Sequence, residues 1–301
     1  MSKRIISNDT AVKAVQAFVY ISAIATLGLA FDLKLFLIAL GCGWLLFCFG
    51  GSICLHKLSA HKTFEPKNKL IKWFILWCGT ISSLGSTICW SAGHREHHQN
   101  SDYKDDPHRP HGSLWHKVKM WFYYFPTWHI NPMIVKDLMS DKDHQFFHRH
   151  YYKIIFSYIA ILALLNPVYI GYFYSIPVLY TLFGISWATV IAHNTFLGRI
   201  GWRTYNTDDY SYNSNFWNIL LMGEGYHNTH HKCPWLWNTA LYKDEWDISA
   251  WVIKLIGKNL TTHKALKHPE RRFGKELRNE FIDVHKRLNE KEPGYHEGFN
   301  A

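Results

Sequence analysis

Four apolar runs, each of membrane-span length or close to it, limit what this chain can fold into more than any other feature. Residues 11–31 read AVKAVQAFVYISAIATLGLAF and residues 35–55 read LFLIALGCGWLLFCFGGSICL, with a link of only Asp32-Leu33-Lys34 between them. About 20 apolar residues in a helix cross the hydrocarbon core of a bilayer, and Lys13 lies near enough to the end of the first run to reach water along its stem. Two further runs, 154–174 and 176–192, follow with almost no polar residue between them. These predict a tight second hairpin, with Pro167 kinking its first helix and Gly184 allowing close packing in its second. Lys3, Arg4 and Lys13 flank the first hairpin on one side and Lys57 and Lys62 on the other. The preference of cationic loops for the cytoplasm therefore puts both of its ends there. An even number of crossings returns the rest of the chain to the same face. The expected fold is an all-α integral membrane protein of one domain, 1–301, with four transmembrane helices in two hairpins. A cytoplasmic helical cap is built from residues 56–153 and 193–301.

A fifth stretch, 71–90, reads IKWFILWCGTISSLGSTICW. Its length would permit a crossing, but its second half is rich in Gly, Ser and Thr, and a crossing would separate histidines that need to meet. It is expected not to span. Farther on, the Trp115–His129 run, WHKVKMWFYYFPTWH, sets aromatic rings beside lysines and suits an amphipathic helix at headgroup depth or a packed surface helix of the cap.

Charge and cysteines narrow the setting. A formal net charge of +10 admits nucleic acid, an anionic membrane surface or an acidic substrate as partner. The apolar blocks decide for the lipid bilayer, and no nucleic acid is expected. None of the six cysteines forms a Cys-x-x-Cys pair, so free thiols facing a reducing compartment are expected rather than a disulfide framework or a thiolate metal site. The N-terminal apolar run has no small-residue cleavage site of the kind a secretory signal carries. The site is expected on the cytoplasmic face of the endoplasmic reticulum or of a bacterial inner membrane.

The chain has 20 histidines, and eight of them fall into three clusters: His56-x-x-x-x-His61, His94-x-x-His97-His98 and His227-x-x-His230-His231. Residues at i, i+3 and i+4 of a helix share one face about a turn apart, so each triplet can reach a single metal. Imidazole suits iron, zinc, copper and nickel. No ordinary core needs eight imidazoles, and the joint pattern points to a polynuclear metal site. His108, His111, His116, His129, His144, His148 and His150 lack the spacing and are read as surface residues or as residues behind the ligands.

The motifs His56-Lys-Leu-Ser-Ala-His61, Trp90-Ser-Ala-Gly-His94-Arg-Glu-His97-His98, Asp106-Pro107-His108 and Glu224-Gly225-Tyr226-His227-Asn228-Thr229-His230-His231 resemble those of the membrane fatty acid desaturase family. The likeness is to the acyl-CoA delta-9, stearoyl-CoA-type branch in particular, and it covers residues 15 to 258. The resemblance implies four spans, a cytoplasmic cap holding two iron ions in an almost purely histidine shell, O2 as co-substrate, and a bent tunnel for a long-chain acyl-CoA or acyl-lipid. It also implies a ninth ligand at the end of the fourth span, which His193 supplies. Four residues earlier the branch usually has an asparagine that contacts one iron through water. This chain has Thr189, whose hydroxyl reaches less far, and the neighbouring Asn194 is the amide that could substitute.

Oxidising an unactivated methylene needs O2 and a redox metal, which zinc is not. Second-shell acceptors must orient each imidazole, and Glu96, Asp105, Asp106 and Glu224 are the nearest carboxylates by sequence. No haem, flavin or cysteine-rich motif is present, so electrons are expected from a separate cytochrome b5 or ferredoxin with its reductase. An acyl chain running down from the metal mouth would meet residues 41–47, roughly 13 to 22 Å below His56 at the helical rise. Trp44, Phe47 and Trp90 are the bulky candidates for the tunnel wall.

Two other readings compete. A membrane diiron hydroxylase of fatty acyl, alkane or sterol substrates shares the three-cluster logic and would leave an alcohol instead of an alkene. A non-enzymatic membrane metal-binding protein would place polar or histidine residues inside the spans, whereas here the clusters lie outside the apolar runs.

Overall fold

The computed structural model describes residues 9–107, 109, 115, 118, 120, 131–192, 201–260 and 270–293. It is mainly helical and divides into two compact units. One comprises Met1–Ala60, Pro66–Gly93 and Pro126–Gly184; the other comprises His61–Glu65, His94–Phe125 and Ile185–Ala301.

The first unit holds the apolar helices. Helix α1 (Asp9–Leu29) is followed by α2 (Leu33–Ala60), which is α-helical to Leu46 and takes the wider π-helical turn from Phe47 onward. The link between them is fixed at both ends. The Asp32 side chain accepts from Leu35 N at 2.8 Å and starts α2 as an N-cap. The Asp32 N–H donates to Tyr172 Oη at 2.6 Å, and that hydroxyl donates to the Ala30 carbonyl at 2.8 Å. Tyr172 thereby ties down one backbone donor and one backbone acceptor of an otherwise exposed link.

Helix α3 (Lys69–Ile81), capped by Asn68, packs against α2. The approach is close because of two glycines: a Cβ on Gly50 would stand 2.7 Å from the Cys78 carbonyl oxygen, and one on Gly79 would strike Cys54 Sγ. Thirteen residues span only about 20 Å. The chain then breaks at Ser82–Ser86, with Ser83 and Gly85 at positive φ, before α4 (Thr87–Asn100) begins. The 71–90 stretch is therefore two helices with a bend between them, not one continuous rod. The bend is held by the Ser83 hydroxyl against Tyr174 Oη at 2.8 Å and by the Gly85 N–H donating to Tyr151 Oη at 2.9 Å.

After α5 (Lys142–Arg149), a polar helix that buries only His144 and Phe147, the helices α6 (Tyr151–Leu165) and α7 (168–192) complete the apolar set. Here the expected bounds shift. The turn expected beside Ser175 lies instead at Asn166-Pro167. Proline lacks an N–H and excludes the α conformation from the residue before it. Asn166 is extended, and its side chain caps Val168 N at 2.9 Å. Ser175 is buried inside a continuous helix. Among the described residues, three helices, Val12–Leu29, Leu33–Ala60 and Val168–Ala188, are long and apolar enough to cross a membrane, and Tyr151–Leu165 is a shorter apolar helix. Phe47 is fully buried, its ring pressed between Gly51 and Gly184.

Among its described residues the second unit contains the C-terminal half of α4, a loop at 101–107, a long loop at 201–217 that ends in the helical turn Asn218–Leu221, and the helices α8 (His227–Lys232), α9 (Ile248–Ile256) and α10 (Gly274–Lys291). Antiparallel bridges join Trp202 to Asn213, Asn213 to Tyr226 and Arg203 to Arg272. Leu277, Phe281, Val284 and Leu288, one stripe of α10, form a core with Tyr210 and Tyr212. The six cysteines, all among the described residues, form no disulfide. His193 and Asn194 lie outside the described residues, as does the Thr189 side chain and most of the Trp115–His129 run.

Candidate metal centre

Seven of the predicted ligands meet in the second unit, in two groups. His61 follows directly on α2, and its Nε2 lies 2.9 Å from Nε2 of His94. His98 Nε2 lies 3.1 Å from His94 Nε2 and 2.9 Å from His230 Nε2. The second group is His97, His227 and His231, whose ligand atoms lie within 4.8 Å of one another. The i, i+3, i+4 spacing on α4 thus divides: His94 and His98 turn to one group and His97 to the other. On α8, His230 joins the first group and His227 and His231 the second. His56 is buried in the first unit near the end of α2, edge-on to the Trp90 ring at 6.2 Å.

This donor set fits a metal. A neutral imidazole has one donor nitrogen and one acceptor nitrogen, so a proton on His98 Nε2 can serve only one of its two short contacts. Lone pairs turned together on a shared cation account for all three distances with no proton between them. A run of neutral imidazoles is the ligand type that iron, zinc, copper and nickel share.

In the second group, the rings are oriented from behind. His97 donates Nδ1–H to Asp106 Oδ1 at 2.8 Å, and His231 donates Nδ1–H to Asp209 Oδ2 at 3.0 Å. Committing Nδ1 to a carboxylate fixes the tautomer and leaves Nε2 as the ligand atom. Asp106 also accepts the Asp102 N–H at 2.9 Å. Asp209 accepts from Thr207 Oγ1 and Ser211 N, both at 2.9 Å, and from the Ser211 hydroxyl. Burial alone would raise the Asp209 carboxyl, but His231 and the Arg203 guanidinium outweigh it and hold it well below the usual carboxylate range. Glu96 is shifted the other way, raised by burial and then by the charges of Asp105 and Asp106. Of the four carboxylates chosen from the sequence, Asp106 is on a ligand, Glu224 is buried beside the third cluster, and Asp105 is exposed. Nothing in the spacing marks Asp209, 22 positions before His231, as its partner.

The intervening residues of the third cluster are structural. Met222 and Gly223 both have positive φ, and a Cβ on Gly223 would strike Asp247, the N-cap of α9. The Asn228 amide oxygen accepts from Thr204 N at 2.9 Å and Tyr205 N at 2.8 Å, while its NH2 donates to the Tyr205 carbonyl at 3.0 Å. Thr229 N donates to Asn213 Oδ1 at 3.1 Å.

Two histidines read as lying outside the clusters have work in the first unit. His144 Nδ1 is 2.8 Å from Thr87 Oγ1 and His148 Nδ1 is 2.6 Å from Ser86 Oγ, so α5 grips the start of the helix that carries the second cluster. His144 is 4% exposed, and burial pushes its pKa from 6.5 down to about 4. A histidine held neutral in this way adds stability that is complete above the unfolded value and is lost as pH falls toward the folded one. The contribution is about 3 kcal/mol at most. Lowering pH from 7 to 5 is expected to reduce the thermal midpoint of the parent more than that of His144→Gln. Equal slopes would show that His144 is not the group responsible.

The comparisons with known proteins agree with this geometry. The family model described as fatty acid desaturase matches residues 33–243. The chain is 31% identical over 219 residues to the sn-1 stearoyl-lipid 9-desaturase of Anabaena variabilis, covering 71% of this chain and 77% of that one. It is 26% identical to the sn-2 palmitoyl-lipid 9-desaturase of Nostoc sp. (strain 36), over 71% of this chain and 75% of that one. It is 29% identical to the icosanoyl-CoA 5-desaturase of Limnanthes douglasii, over 69% of this chain and 58% of that one. With the family model covering well over half of its length and the three histidine clusters in place, the chain belongs to the fatty acid desaturase family.

Proposed function

We propose that the protein introduces a cis double bond at the 9 position of a long-chain fatty acyl group, using O2 at a centre of two irons. The observation that carries this reading is the convergence of His61, His94, His98 and His230 beside His97, His227 and His231. His56 and His193 complete the ligand set in this reading. Iron held there supplies, with O2 and two electrons from a separate carrier, the oxidising power to remove a hydrogen from each of two adjacent methylenes.

The protein's own groups do the rest. The imidazoles bind as neutral donors, and Asp106 and Asp209 hold two of them in the ligating tautomer. Thr189 and Asn194 are the polar groups proposed beside the ninth ligand. The acyl chain enters a tunnel walled by Trp44 and Trp90. Phe47, whose ring is already used between Gly51 and Gly184, contributes to the packing around it. The substrate is taken as an acyl-lipid on the strength of the Anabaena and Nostoc relatives, with acyl-CoA as the second reading favoured by the Limnanthes one. The electron carrier is cytochrome b5 or ferredoxin with its reductase. Four crossings, with both termini and the histidines on the cytoplasmic face, are proposed for the membrane topology.

Expression in a host lacking its own desaturase tests the function. A new 9-monounsaturated acyl chain is expected, found in intact lipid when the substrate is lipid-linked and in the acyl-CoA pool first when it is not. An alcohol at the same carbons would identify a hydroxylase. An unchanged profile from a metal-loaded chain would leave a metal-binding protein without this activity.

A further inference from the structure

Helix α10 lies outside the stretch that the family model matches, yet it is fastened to the two loops that stand behind the second histidine group. Leu277, Phe281, Val284 and Leu288 recur at helical spacing and are at most 1% exposed. Phe281 stacks on the Tyr210 ring at 6.1 Å, and the Tyr210 hydroxyl shares a 2.9 Å hydrogen bond with His285 Nδ1. Farther along, Arg287 donates to Asn206 and Asp208. At its end, Lys291 Nζ donates to Tyr103 Oη at 2.9 Å, and Glu292 accepts the Lys104 N–H at 3.0 Å.

The helix thus holds loop 203–212 through Tyr210 and loop 101–107 through Tyr103 and Lys104. The two loops are also tied to each other, since Tyr210 N donates to Asp102 Oδ2 at 2.8 Å and Asp102 N donates to Asp106. Each loop delivers one carboxylate to one ligand: Asp106 to His97 and Asp209 to His231.

We propose that α10 is a positioning element for the metal bound by His97, His227 and His231, acting by keeping both carboxylates against their imidazoles. This rests on the reading that the second group ligates a metal. Loosening the loops would free two of three ligand rings to rotate, and loss of such outer contacts costs about 10–100-fold in metal affinity. A helix that merely added bulk stability would change the retention of both metals together, or of neither.

The test uses the full chain loaded with enriched ferrous iron, challenged with a chelator under nitrogen and followed by Mössbauer spectroscopy and iron per chain. For Phe281→Ala, one of two iron signals is expected to decay about 10–100-fold faster than in the parent, while the other keeps the parental rate. Phe281→Leu should restore most of the retention. Asp209→Asn, which leaves the α10 contacts in place, should lose the same signal. Arg287→Ala, at a partly exposed side chain, should move that signal in the same direction by less. Parental decay of both signals in Phe281→Ala and Arg287→Ala, or joint loss of both, overturns the role given to α10. A parent chain that binds no iron overturns both the proposal and the reading beneath it.

Discussion

Replacing His98 by alanine is expected to abolish desaturation and to lower bound iron by at least one equivalent per chain. His98 stands in the middle of its group, with Nε2 3.1 Å from His94 Nε2 and 2.9 Å from His230 Nε2. Like His94, which touches His61 and His98, it has two ligand neighbours, so its removal opens the coordination sphere on both sides. A cation held by neutral imidazoles gains nothing from long-range charge attraction, so each lost ring removes a full bond, and water that takes its place also quenches the oxidant. Asp105→Ala, in which an exposed side chain on a neighbouring loop is truncated, is expected to keep activity and iron. Full activity in a His98→Ala enzyme would refute the metal centre as drawn.

The largest effect on stability is expected at Arg203, which is fully buried. Its guanidinium wraps the loop that follows it. Nη1 donates to the carbonyls of Asp209 at 2.8 Å and Ser211 at 2.6 Å, and Nη2 donates to the Thr207 carbonyl at 3.0 Å and its hydroxyl at 2.9 Å. The cation also lies 5.1 Å from the Phe281 ring. Arg203→Leu would strand three carbonyls in the interior and remove the positive charge nearest Asp209, a loss of about 3–5 kcal/mol. Lysine does not repair this, because one ammonium cannot reproduce a planar fork that reaches carbonyls on two sides. Both variants are expected to show a lowered thermal midpoint in detergent. An Arg203→Lys protein as stable as the parent would mean that charge alone, without the fork, organises the loop.

The histidine clusters were legible because ligand spacing and helical period coincide: three imidazoles at i, i+3 and i+4 have little other reason to recur. In 71–90 the serines, threonines and glycines argue against a crossing, while the bend at Ser82–Ser86 is a finding of the structure. The turn of the second hairpin was not legible, although its signal was present. Apolar length says that a chain can cross, not where it turns, and Asn166, extended before Pro167 and capping Val168, marks the turn that a proline alone does not. Asp209 and Asp102 left no sequence signal, and the apolar stripe of α10 marks a helix without saying what it packs against. Their roles arise from loops brought together across more than 100 positions, as in the bond from Tyr210 to Asp102, and no local period encodes such a pairing. His144 was misjudged because spacing identifies ligands but says nothing about a histidine whose partner is the Thr87 hydroxyl on another helix.

The place of Asn228 between His227 and Thr229 bears on how such motifs are compared. Its amide pairs with Thr204 and Tyr205 as an adjoining strand would, so the six residues of α8 encode a ligand set on one side and a loop-closing edge on the other. A search that scores only the three histidines treats the letters between them as blanks. Two chains could then share identical spacing and differ in whether the 201–212 loop closes at all. Weighting Asn228 and Thr229 alongside the histidines would separate chains that keep the whole scaffold from chains that keep only its metal-facing half.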